Sequence, residues 1–174
     1  MLRVPFDELE SALKQALLGL GFADARAQLC ARLFAEVTCD GVYTHGLARF
    51  PRFVATIKLG VVKPEASPSL VSAFGAIERW DGNLGPGNLN GYSSMQRAIQ
   101  LAKTNGIGAV FLANTNHWMR GGTYGWQAAD QGLFAMCWTN THSDCPAPDC
   151  RPSALSLQTP RPGMATPPAS RRPA

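Results

Sequence analysis

No apolar run in these 174 residues is long enough to cross a bilayer. The first turns carry Asp7, Glu8 and Glu10 where a secretion signal would carry positive charge, so a cytoplasmic protein with no membrane association is the expectation. The cysteines are few and scattered. Positions 30, 39, 137, 145 and 150 show neither the paired spacing of a zinc module nor a disulfide framework, and Cys145 and Cys150 with His142 match no metal site; reduced thiols and no metal are expected. Charge is sparse too, at 16% of residues, and the formal +4 is not gathered anywhere. Residues 1–140 hold 12 basic against 10 acidic side chains, and no basic stripe is interleaved with aromatics, which argues against nucleic-acid binding. A dinucleotide fingerprint is missing as well. The turn Gly82–Asn88 leads to glycines at 85, 87 and 91, one residue too far for G-x-G-x-x-G, and no clean parallel β-α-β unit with a later acidic residue is read after it.

What is present is a 45% hydrophobic chain, enough for one well-packed domain and too short for two large ones. Leu9, Leu13, Leu17 and Leu20 recur at helical intervals and predict a helix over 6–20, stopped by Gly19 and Gly21. Asp24 is placed as the N-cap of a second helix with Leu29, Leu33, Phe34 and Val37 inward, ending near Asp40-Gly41. A third helix is expected from around Thr44 to Gly46, with Phe50, Phe53, Val54 and Ile57 inward and a kink or break at Pro51. Leu70–Phe74 and Ile77–Trp80, parted by Gly75-Ala76, read as a β-hairpin. A helical pattern follows through Tyr92, Met95, Ala98, Ile99 and Ala102. Residues 107–113 predict a strand buried on both faces. A helix over 123–130 and a strand over 133–139 then complete a β-α-β unit. After Asn140 periodicity fails: 8 of the 13 prolines and four arginines fall in 141–174, which predicts a disordered tail.

Two stretches carry chemistry. His45 stands at the mouth of the third helix with Arg49 four residues on, a spacing that puts both on one helical face. An imidazole shuttles protons near neutral pH and a guanidinium grips a carboxylate through two parallel hydrogen bonds, a pairing suited to a small anionic carbonyl compound. A capping histidine beside a solvated arginine satisfies the same spacing. The polar run Asn114–Thr123 lies where a strand ends and a helix begins, the place where α/β folds collect anions; a hydrogen-bonded turn capped by His117 reads equally well.

Together, Asp40-Gly41-x-x-Thr44-His45-Gly46-x-x-Arg49-Phe50-Pro51 and the later Asn116-His117 followed by Gly121-Gly122 resemble the malate/L-lactate dehydrogenase family of the second type, nicotinamide-dependent oxidoreductases without a Rossmann fold. Asn116-His117-Trp118-Met119-Arg120-Gly121-Gly122 and Gly125-Trp126-Gln127-Ala128-Ala129 draw the likeness toward members acting on 2,3-diketo sugar acids. The resemblance runs from about residue 2 to residue 140. It implies an α/β (α+β) fold: a helical substrate-side subdomain over 1–62, part of a non-Rossmann nicotinamide-binding β/α region over 63–140, and the tail over 141–174. It implies that His45 protonates the carbonyl oxygen as hydride arrives from NADH or NADPH, that Arg49 holds the substrate carboxylate, and that Thr44 orients substrate or histidine. Asn116, His117, Gly121, Gly122, Thr139 and Asn140 are implied as cofactor or substrate contacts. The implied reaction is reduction of a 2-oxo acid or 2,3-diketo sugar acid by a homodimer.

Family members are considerably longer, and the likeness gives way at the Pro/Arg/Ala/Ser tail. The expectation is a product truncated by a frameshift near codon 141, with Val110, Phe111, Phe134 and Met136 left without their usual cover. The alternative to an active reductase is therefore a catalytically inactive fragment that at most binds a ligand or a full-length partner.

Overall fold

The computed structural model describes residues 3–139 and 156–158. They form two compact units, within residues 1–120 and 121–174.

In the first unit, the leucine spacing folds as helix α1 (Phe6–Leu18), with Leu13 and Leu17 buried and Leu9 and Leu20 packed at the margin. Helix α2 (Asp24–Cys39) lies against it, with Ala27, Cys30 and Ala31 among its buried residues. Asp24 is not the N-cap. That position belongs to Ala23, which offers no side-chain acceptor, and the Asp24 carboxylate instead meets Lys14 Nζ at 2.8 Å. A cross-helix ammonium is the stronger partner, so the capping role is lost.

The third helix also starts later than its apolar pattern suggests. Gly41, at φ +78°, turns the chain out of α2, and a 3-10 turn over Leu47–Arg49 precedes α3 (Phe50–Lys58). Pro51 explains this: lacking an N–H and clashing with the preceding turn, it fits only at a helix start, and it occupies the first turn of α3. The break is therefore between two helices, not within one. Phe50, Phe53 and Ile57 are buried, and Phe34 meets Phe50 edge-on at 5.2 Å.

Strands β1 (Ser69–Phe74) and β2 (Ile77–Asp81) form the predicted antiparallel hairpin, with one extra residue, Val71, bulged between the Leu70–Trp80 and Ser72–Arg79 pairs. Helix α4 (Gly87–Asn105) then carries the chain to β3 (Ala109–Ala113), which pairs with β2 in parallel. A parallel β-α-β unit is thus present where the sequence showed none: its crossover is α4, entered through the Gly82–Asn88 turn. On the face covered by α4, Glu78 is buried and held by Arg97 through three N–H contacts, with Trp80 Nε1 donating at 2.8 Å. Arg97 beside Glu78 holds its carboxyl below the ordinary range. Strand β3 is not buried on both faces. Among the described residues it is an edge strand with Phe111 exposed, because alternation turns Ile77, Arg79 and Phe111 away from α4; Val110 is half-buried.

Leu89 of α4 and Met119 join the core built by α1–α3, so packing is continuous across position 62. Asn88 Nδ2 donates to Cys30 Sγ at 3.1 Å, linking α4 to α2, and burial pushes the Cys30 thiol up to about 12.

In the second unit, α5 (Gly121–Ala129) precedes β4 (Cys137–Thr139). The β-α-β unit expected of 107–139 does not form: the sheet partner of β4 is β5 (Ser156–Gln158), antiparallel, and not β3. Residues 156–158 also supply a strand inside the stretch where periodicity predicted none. The disorder expected of the rest of 141–174 lies outside the described residues. Phe134 and Met136 are exposed.

Candidate functional site

The end of α2 builds the first half of the site. Thr38 Oγ1 donates to Phe34 O at 2.7 Å and accepts the Leu47 N–H at 2.8 Å, pinning the 3-10 turn back against the helix. A Cβ on Gly46 would overlap the Thr38 side chain and press on its backbone, so this close approach requires glycine. His45 is presented from the resulting tight turn, half-buried, with Thr44 Oγ1 3.0 Å from its Nδ1. Burial lowers the His45 pKa, and the Arg49 and Arg120 guanidiniums lower it further. His45 and Arg49 do not share one regular helical face, since a turn and a 3-10 segment separate them, yet Arg49 acts on the imidazole electrostatically. No carboxylate pairs with Arg49 among the described residues.

The second half comes from the carboxyl ends of the parallel strands. Asp81 accepts the Asn83 N–H with one oxygen and Asn114 Nδ2 with the other, both at 2.7 Å, and Asn90 Nδ2 donates to Gly82 O and Thr115 Oγ1. Asn116 Nδ2 is spent on the carbonyls of Val61, Leu84 and Gly85 at 3.0–3.3 Å. Its amide group therefore holds loops together. A side chain on Gly87 would overlap the Asn116 and His117 carbonyls, so the start of α4 seats the loop directly. Met119, buried at φ +66°, bends the chain so that its N–H donates to His117 Nδ1 at 2.9 Å; a neutral His117 then carries its proton on Nε2.

These halves meet. The His45 and His117 rings lie 5.7 Å apart at 34°, and Arg120 forms an ion pair with Asp40. Of the residues singled out from sequence, His45, Thr44, Arg49 and His117 thus come together. Gly121 and Gly122 open α5 in the second unit, Thr139 closes β4 there half-buried, and Asn140 lies outside the described residues. Thr38, Asp40, Met119 and Arg120 were missed as contributors. Asp40 and Arg120 each sit in a quoted motif, but nothing in sequence couples residues 80 positions apart.

The model of the malate/L-lactate dehydrogenase family matches residues 4–156. The 2,3-diketo-L-gulonate reductase of Mannheimia succiniciproducens is 46% identical over 153 residues, covering 86% of this chain and 46% of that protein. The enzyme of the same name from Klebsiella pneumoniae is 47% identical with the same coverage, so the chain spans just under half the length of these relatives. Among solved structures, the malate dehydrogenase of Pyrococcus horikoshii superposes with a TM-score of 0.78 at 34% identity, over 80% of this chain and 40% of that one.

Proposed function

Because this chain belongs to the malate/L-lactate dehydrogenase family, we propose that it carries the proton-transfer and carboxylate-binding part of a reductase that uses NADH or NADPH on a 2-oxo acid or 2,3-diketo sugar acid, working as a cytoplasmic homodimer. One observation carries the reading: a half-buried His45 beside an Arg49 that has no carboxylate partner among the described residues. The names of the 46–47% identical relatives support the diketo sugar acid as substrate class.

In this reading the substrate carboxylate seats on Arg49 through paired N–H donors. Protonated His45 donates Nδ1–H to Thr44 Oγ1 and keeps Nε2–H for the carbonyl oxygen, which becomes the hydroxyl. Neutral His45 takes the proton back in the reverse direction. A bound nicotinamide supplies the hydride. Gly121 and Gly122 begin α5, and backbone amides at a helix start are donors suited to a phosphate-bearing molecule. Gly121 and Gly122 would hold that end, with Thr139 and Asn140 as further contacts and Asn116 as the brace of the His117 loop.

The test is purified chain with NADH and 2,3-diketo-L-gulonate or pyruvate, followed at the nicotinamide absorbance. Turnover abolished by His45→Ala supports the reading, and a folded sample without turnover opposes it. The alternative is binding of ligand or of a full-length partner without catalysis. Saturable binding of a 2-oxo acid with no absorbance change selects it.

A further inference from the structure

The Asp40–Arg120 ion pair joins the two loops that bear the histidines: Asp40 lies five residues before His45, and Arg120 three residues after His117, whose ring is 5.7 Å from that of His45. Arg120 has little freedom. It follows the buried, left-handed Met119, and its side chain is 21% exposed against 52% for Asp40. The groups facing His45 are thus Thr44, His117, Arg49 and Arg120, with Asp40 neutralising the last.

We infer that Asp40 is a specificity-determining residue that masks Arg120: the site presents Arg49 as its uncompensated guanidinium and is matched to a substrate with one carboxylate over a substrate with two. This rests on the reading that the site takes a 2-oxo or 2-hydroxy acid. A second carboxylate near Arg120 has to compete with one already in place, and displacing Asp40 leaves that carboxylate unpaired beside the incoming anion. A neutral or hydroxylated substituent in the same place displaces nothing.

Two substitutions break the same bridge with opposite changes of charge. Asp40→Asn unmasks Arg120; Arg120→Gln removes it. The probes are lactate and tartronate, 2-hydroxy acids that differ by a methyl against a carboxylate, and the readout is the His45 ring resonance by NMR, titrated with anion and separately with pH. In Asp40→Asn, tartronate should gain on lactate by roughly three- to ten-fold in dissociation constant, and His45 should titrate lower than in the unaltered chain. In Arg120→Gln, tartronate gains nothing and His45 titrates higher. Shifts of His45 in the same direction in both variants, or an unchanged anion ratio in a folded Asp40→Asn, would make the pair a simple tether and overturn the inference. If lactate leaves His45 unmoved in the unaltered chain, the substrate-site reading itself falls; opposite pH shifts in the two variants would still establish the masking of charge.

Discussion

His45 is poised for a proton on the acid side of its ordinary range, because burial and two guanidiniums all oppose the imidazolium. Its ring should titrate below 6.5 in an NMR pH series, and replacing Arg49 with Met should raise that value. The sign for stability follows. Between the folded pKa and 6.5 the unfolded chain binds the proton more readily, so this ring lowers stability as pH falls through that window. If the chain turns over substrate, kcat/KM for reduction should decline as pH rises past the His45 pKa, since the acid form donates. His45→Asn should cost roughly 10²- to 10⁴-fold in turnover. Arg49→Lys keeps the charge but not the two-pronged geometry, and should raise KM by about ten-fold or more.

At the scale of elements, the tight turn after α2 depends on Gly46. Gly46→Ala should push the turn off Thr38, costing about 1–3 kcal/mol in a denaturant melt and shifting the His45 resonance; Thr38→Ser, which keeps the hydroxyl, should preserve both. The Glu78–Arg97 bond ties β2 to α4 in a pH-dependent way. With its pKa lowered chiefly by Arg97, Glu78 contributes stability that is full above the ordinary carboxylate value near 4.5 and is lost as pH falls through the lower folded value. Glu78→Gln should flatten the acid limb of the stability profile. Legibility in sequence divides along the same line. The leucine spacing of α1, the apolar face of α2 and the Gly75-Ala76 hairpin are local patterns and were readable. The parallel pairing of β2 with β3 joins Ile77 to Ala109 across a helix, and its signal was a glycine-rich turn that looked irregular. His45 and Arg49 stood out by residue type. The partners that place them, Thr38 for the turn and Arg120 for the charge, act through contacts that no periodicity encodes.

For the whole molecule, the exposed apolar side chains matter most. Phe74 is 84% exposed, and Ile77 and Phe111, on the sheet face turned away from α4, are exposed as well; Phe134 is 78% exposed in the second unit. Self-association beyond a dimer at modest concentration is the expected behaviour, measured by light scattering, and a sample that stays a monodisperse monomer or dimer with one cooperative melt would contradict it. Phe74→Ser should reduce scattering without altering the melt, since that side chain contributes little to the core. The form of the association follows from the bulge at Val71. Edge strand β1 carries no charged residue to deter a neighbour, but the bulge splits its six residues into two short frames with different registers. On this edge a strand from another molecule finds no continuous template on which to stack, whereas β3, the other edge among the described residues, is unbroken over Ala109–Ala113. Clusters that form through β1 should therefore be amorphous, reversible by mild detergent, and without the ~4.7 Å cross-β reflection of a fibre.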